Sequence, residues 1–220
     1  MGPHDDQPVL HAGAPLDTAE AAMIMVHGRG AGPQNILELA PAFERPQFAC
    51  LAPAAADGTW YPFSFMYPRE KNEPGLSSAL GVIESLVVDL MERGFPSHKI
   101  ALLGFSQGAC LSSEFAIRHP RRYGGVLALS GGLIGPPGTT WNDPSLRSGQ
   151  ARPLEGVPVF LGCSDVDPHI PAARVIETEA VFNKLGARVK SKLYAGMGHI
   201  VSEDEIMEVQ TVVDEVLAAP

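Results

Sequence analysis

Short, continuous apolar runs alternate along this chain with longer stretches whose apolar residues recur every three or four positions. The run at 21–26 (AAMIMV) has no polar member, as in a strand covered on both faces. Similar runs predict strands over 47–51, 99–103, 125–130, 158–162 and 188–194. Between them lie helical patterns. Residues 33–43 read as a helix with Pro33 in its first turn. Residues 75–93 place Leu76, Leu80, Ile83, Leu86, Val87, Leu90 and Met91 on one stripe, stopped by Gly94 and Pro96. Further helices are predicted over 109–119, 171–185 and 205–218, the last preceded by the capping-box pattern Ser202-Glu203-Asp204-Glu205.

Strands and helices alternating at these lengths imply one mostly parallel sheet with helices on both faces. Residues 1–18 read as a loosely ordered segment and 19–220 as a single domain. In such sheets ligands and chemistry gather beyond the carboxyl ends of the strands. Two stretches there lack a period: 53–74, which carries Trp60, Tyr61, Phe63, Phe65, Met66 and Tyr67, and 131–156, rich in Gly, Pro and Ser. Loops of that length in a compact domain are usually functional. The apolar side chains of Trp60, Tyr61, Phe63, Phe65 and Met66 are therefore expected at a pocket rim. The competing expectation is a small core beneath the loop.

The strongest local signal is Gly104-Phe105-Ser106-Gln107-Gly108, set between a predicted strand and a predicted helix. A strand, G-x-S-x-G and a helix form a nucleophile elbow, a turn so tight that the serine hydroxyl stands clear of the sheet. A serine needs a base, and the base needs an orienting carboxylate. His119, His169 and His199 follow the elbow. His119 falls at the end of the elbow's own helix, whereas His199 follows the last strand through the turn-forming Ala195-Gly196-Met197-Gly198. The acid belongs after the strand at 158–162, where Asp165 and Asp167 both qualify. An oxyanion hole needs the N–H after the nucleophile, here Gln107, and a second from a loop after an earlier strand. His27-Gly28-Arg29-Gly30-Ala31-Gly32 suits that role. The same loop faintly resembles a dinucleotide fingerprint, but Pro33 stands where the third glycine belongs, and the next strand ends without an acidic residue.

Taken together, His27-Gly28-x-Gly30, Gly104-Phe105-Ser106-Gln107-Gly108, Asp167-Pro168-x-Ile170-Pro171 and Gly196-Met197-Gly198-His199 resemble the bacterial carboxylesterase/phospholipase family, which includes acyl-protein thioesterase-like hydrolases. The resemblance runs from about residue 20 to about 217. It implies an α/β-hydrolase fold without a large lid, and a triad of Ser106, Asp167 and His199. Its Asp-Pro-x-Val/Ile-Pro turn selects Asp167, and its oxyanion donors map to the backbone of Arg29 and Gln107. It also implies a carboxylic ester, lysophospholipid or acyl thioester as substrate, and no cofactor. The chain departs from the family pattern at Arg29, where leucine is frequent, and in the aromatic segment from Trp60 to Tyr67.

Composition narrows the setting. A net charge of −9 over 220 residues argues against nucleic-acid binding. No apolar run approaches the ~18 residues of a membrane helix, and the first residues lack the basic and apolar regions of a signal peptide. Cys50, Cys110 and Cys163 sit in apolar contexts without metal-ligand spacing, as expected of core thiols in a cytoplasmic protein. The expectation is an esterase acting on small to medium acyl or aryl groups. The alternatives are a lysophospholipase, a thioesterase with the same triad, or a ligand-binding protein that has lost its chemistry.

Overall fold

A computed structural model describes residues 2–141 and 152–220. Seven strands form one sheet: β1 (Val9–Gly13), β2 (Ala21–Val26), β3 (Phe48–Pro53), β4 (Ile100–Phe105), β5 (Gly125–Leu129), β6 (Pro158–Ser164) and β7 (Arg188–Tyr194). Their order across the sheet is β1-β3-β2-β4-β5-β6-β7. All neighbours are parallel except β1, which pairs antiparallel with β3. Period-two alternation divides the core cleanly. Ala22, Ile24, Val26, Leu102 and Val126 face one layer, and Ala21, Met23, Met25, Leu103 and Leu127 face the other. Helices α2 (Gly75–Glu92), α3 (Gln107–Arg118) and α4 (Ala172–Lys184) cover the first layer. Helices α1 (Pro33–Leu37) and α5 (Glu203–Ala218) cover the second. This is the α/β-hydrolase arrangement, with no large lid among the described residues. No described helix is long and apolar enough to cross a membrane.

Several expectations need correction. Val9–Gly13 belongs to the sheet, although the first 18 residues read as loosely ordered; as an edge strand with one half-exposed face it lacks the solid apolar run of its neighbours. Earlier still, His4 is buried against the segment before Trp60. The helix expected over 33–43 is a five-residue α1 followed by a 3-10 turn at Ala40–Phe43. Pro41 lacks the N–H that would continue the α-helix, so the chain tightens into a new turn instead. Met91 is exposed, while Leu76, Leu80, Ile83, Val87 and Leu90 are buried on the predicted stripe. The loop expected over 131–156 falls partly outside the described residues.

Candidate active site

Ser106 joins β4 to α3 with φ 56° and ψ −119°, a conformation that a non-glycine residue rarely adopts. The neighbouring glycines are required by contact. A Cβ at Gly108 would lie 2.0 Å from the carbonyl oxygen of Val26, and one at Gly104 would lie 2.3 Å from the Gly108 backbone. The strain is held by hydrogen bonds on both sides: Ser106 N–H donates to Leu129 C=O (2.9 Å), and Cys110 N–H donates to Ser106 C=O (3.0 Å).

His199 arrives on the loop after β7 and Asp167 on the loop after β6. His199 Nδ1 lies 2.7 Å from Asp167 Oδ2, and its Nε2 lies 2.8 Å from Ser106 Oγ. Because a carboxylate only accepts, Nδ1 carries the proton and Nε2 is left to accept from the serine. The imidazole sits between the rings of Phe105 (4.9 Å) and His169 (4.8 Å).

The Asp167 side chain has no solvent exposure. Burial pushes its pKa up, but the His199 hydrogen bond and the N–H groups of His169 (2.8 Å) and Ile170 (3.0 Å) outweigh that, so the net shift is downward. Asp165 does something different: its Oδ1 accepts from Gly196 N–H at 2.8 Å, tying the acid loop to the histidine loop. Cys163 lies near both Asp167 Oδ2 (3.8 Å) and Ile170 C=O (3.9 Å). Burial and the adjacent carboxylate push its thiol up to about 12, which keeps it protonated. His119 caps α3 and stacks on Phe115, well removed from this cluster in role.

The loop after β2 closes the site. Gly28 packs on Ser106, where an added Cβ would come within 3.3 Å of the serine Cβ. The next residue, Arg29, lines the cavity at Ser106, while Gln107, as the first residue of α3, has an N–H without an intrahelical acceptor. His27 fixes the loop. Its Nε2 accepts from Ala55 N–H (3.1 Å), so its Nδ1–H donates to Gly28 C=O (2.8 Å). Burial lowers its pKa, which maintains that neutral form.

A cavity of about 440 Å³ opens beside Ser106, Gln107 and His199. Tyr61 and Phe65 line it, with Cys110 and Ile170. The other three aromatic-segment residues lie elsewhere. Trp60 is fully buried between His4 and His27, with its Nε1–H donating to His27 C=O at 2.9 Å. Phe63 is half exposed and stacks on Tyr67. Met66 is half-buried against the core. Tyr61 and Phe65 thus follow the rim reading, Trp60 and Met66 the core reading and Phe63 neither, because a wall ring, a core ring and an exposed ring are equally apolar in sequence. A second hollow, of about 530 Å³, lies across Phe105 and His199 and is lined by Gly28, Ile36, Leu39 and Ile200. Among the described residues no group of three or more His, Cys, Asp or Glu is arranged to hold a metal ion.

The family model for phospholipase/carboxylesterase matches residues 10–217. The chain belongs to the phospholipase/carboxylesterase family. Among solved structures, a phospholipase/carboxylesterase from Dyadobacter fermentans superposes with a TM-score of 0.88 at 35% identity, covering 97% of this chain and 98% of that one. Acyl-protein thioesterase 1 of the yeast Debaryomyces hansenii is 28% identical, over 96% of this chain and 97% of its own. Esterase PE8, at 21% identity and a TM-score of 0.74, shares the fold. The chain is accordingly a serine hydrolase of this family. Sequence reasoning found the residues that meet at the serine. The roles of the side chains of His27, Arg29, Gln107 and His169 were not legible there, because their partners are backbone groups or a ring brought close only by folding.

Proposed function

We propose that the chain hydrolyses carboxylic esters of small to medium acyl or aryl groups through an acyl-enzyme on Ser106. The observation that carries this reading is the unbroken line from Asp167 through His199 to Ser106 Oγ, ending at the 440 Å³ cavity. Ser106 Oγ attacks the ester carbonyl carbon while His199 Nε2 takes its proton. The carbonyl oxygen becomes an oxyanion facing the Arg29 and Gln107 N–H groups. Collapse breaks the bond to the alcohol, which leaves with the proton from His199. Water then attacks the acyl-enzyme, again giving its proton to His199, and the acid departs as that proton returns to Ser106. Throughout, Asp167 holds the imidazole tautomer and stabilises the imidazolium.

The Tyr61–Phe65 cavity takes the acyl group, and the hollow beyond His199 takes the leaving alcohol. The three buried, unbridged cysteines support a cytoplasmic setting. The name of the yeast relative favours thioesters as a second reading, served by the same residues. A series of p-nitrophenyl esters and matching acyl thioesters separates the two. Each buried methylene is worth about 0.8 kcal/mol, or about fourfold in kcat/KM. The expected result is a rise and then a fall well before sixteen carbons, with oxygen esters preferred. A steady rise to palmitate, or thioesters strongly preferred at every length, would replace this reading with a lipid- or acyl-protein-directed one.

A further inference from the structure

Arg29 and Gln107, the two residues proposed to supply the oxyanion N–H groups, spend their side chains on one stretch of backbone. Gln107 accepts from Trp60 N–H (3.0 Å) and donates to Tyr61 C=O (2.8 Å). Arg29 donates to three successive carbonyls, those of Tyr61 (2.9 Å), Pro62 (2.9 Å) and Phe63 (2.7 Å). Its guanidinium also lies 5.9 Å from the Tyr61 ring centroid. The segment so gripped leads directly into the cavity wall formed by Tyr61 and Phe65. Other ties in this loop fix its ends: Gly30 N–H donates to Gly58 C=O (2.8 Å), and His27 is held by Ala55 and Trp60. The peptide that carries the Arg29 N–H is itself held on its Gly28 C=O, which accepts from His27 Nδ1–H (2.8 Å) and Ala31 N–H (3.3 Å); the Arg29 side chain is what ties this peptide to the cavity-wall segment.

A guanidinium is suited to this because its planar fork can meet several carbonyls at once. A lysine would satisfy one or two, and an apolar side chain none. Three carbonyls solvate the cation without neutralising it. Resting on the esterase reading above, we propose that the Arg29 side chain is a positioning residue for the oxyanion hole. It fixes the peptide bearing its own N–H against the acyl-pocket wall, so that contact between substrate and wall is coupled to transition-state stabilisation.

Removing an oxyanion donor outright costs about 10²–10³ in rate; loosening one should cost about tenfold. Acylation and deacylation both pass through an oxyanion, so both should slow together and leave KM nearly constant. The test is to compare wild type, Arg29→Met and Arg29→Lys on p-nitrophenyl butyrate. Each is also titrated with a trifluoromethyl ketone, which forms an oxyanion on Ser106, and with the corresponding secondary alcohol, which does not. Endpoint labelling of Ser106 by a fluorophosphonate counts folded sites. The expected result for Arg29→Met is a roughly tenfold fall in kcat with KM within twofold. Ketone affinity should fall by a similar factor and alcohol affinity should stay unchanged, with Arg29→Lys between wild type and Arg29→Met. An unchanged kcat, or a rise in KM alone, would overturn the inference and leave Arg29 as a wall or substrate contact. A wild type that turned over no ester would instead remove the esterase reading itself, and the inference with it.

Discussion

Replacing Asp167 by asparagine changes one atom, and the geometry dictates which one matters. Oδ1 accepts from the His169 and Ile170 N–H groups at 2.8 and 3.0 Å, and the asparagine carbonyl can keep both bonds. The amide nitrogen then takes the place of Oδ2, which lies 2.7 Å from His199 Nδ1. Two donors face each other there. The imidazole relieves the conflict by moving its proton to Nε2, which then points a hydrogen at Ser106 Oγ instead of accepting one. The base is lost while the fold is kept. In comparable triads this tautomer error lowers kcat by ~10⁴, equivalent to about 5 kcal/mol of transition-state stabilisation. Asp165→Asn should behave differently, because its amide oxygen can still accept from Gly196 N–H. Losing only the charge assistance should cost about 1 kcal/mol, or less than tenfold. Steady-state hydrolysis of p-nitrophenyl acetate, normalised to folded protein by circular dichroism, measures both variants. Near-normal turnover by Asp167→Asn, or a larger loss in Asp165→Asn, would refute the acid assignment.

Two further predictions concern the scaffold. Gly108→Ala forces a Cβ to within 2.0 Å of the Val26 carbonyl oxygen, a backbone atom of the central strand. It should lower unfolding stability by ~3 kcal/mol or more, and a wild-type urea midpoint would contradict the packing argument. Glu205 is fully buried, and burial raises its pKa despite its hydrogen bonds to Ser202 N–H (2.7 Å) and Oγ (3.0 Å). A carboxyl whose folded pKa is raised binds more protons folded than unfolded, so its contribution to stability falls as pH rises from the ordinary glutamate value of about 4.3 through the elevated one. Glu205→Gln should flatten that part of the melting-temperature profile, and identical profiles for the two proteins would contradict the burial effect.

The sequence was most legible where one physical demand dominated. Strands β2, β4 and β5 are buried on both faces, so their apolar runs could be read directly. Gly104 and Gly108 flank Ser106 because any Cβ there meets backbone, which is why the elbow stands out as a motif. Between Asp165 and Asp167 the residues alone gave no choice, since both are turn aspartates; only the family pattern and the three-dimensional contacts separate them. Edge strand β1 was hidden because its single packed face needs no apolar run. The break after α1 was written in Pro41, but the apolar period continuing to Phe43 obscured it. Trp60 was ambiguous by nature, since an aromatic ring in a loop has the same composition whether it walls a cavity or packs beneath one. The Arg29 side chain was visible as a departure from the family pattern, but its purpose was not. Its partners are backbone carbonyls more than thirty positions away, and carbonyls leave no trace in a residue code.

The proposed reaction stands on Ser106 as a nucleophile that His199 activates and that forms a covalent acyl-enzyme. Intact-protein and peptide mass spectrometry after brief exposure to a fluorophosphonate tests it most directly, with p-nitrophenyl ester turnover followed in parallel. One adduct per chain is expected, located on Ser106, with complete loss of turnover. A folded Ser106→Ala protein should carry no adduct, and its residual hydrolysis should exceed the uncatalysed rate by no more than ~10³–10⁴. An adduct on another residue, or a folded Ser106→Ala protein with near-normal turnover, would contradict it.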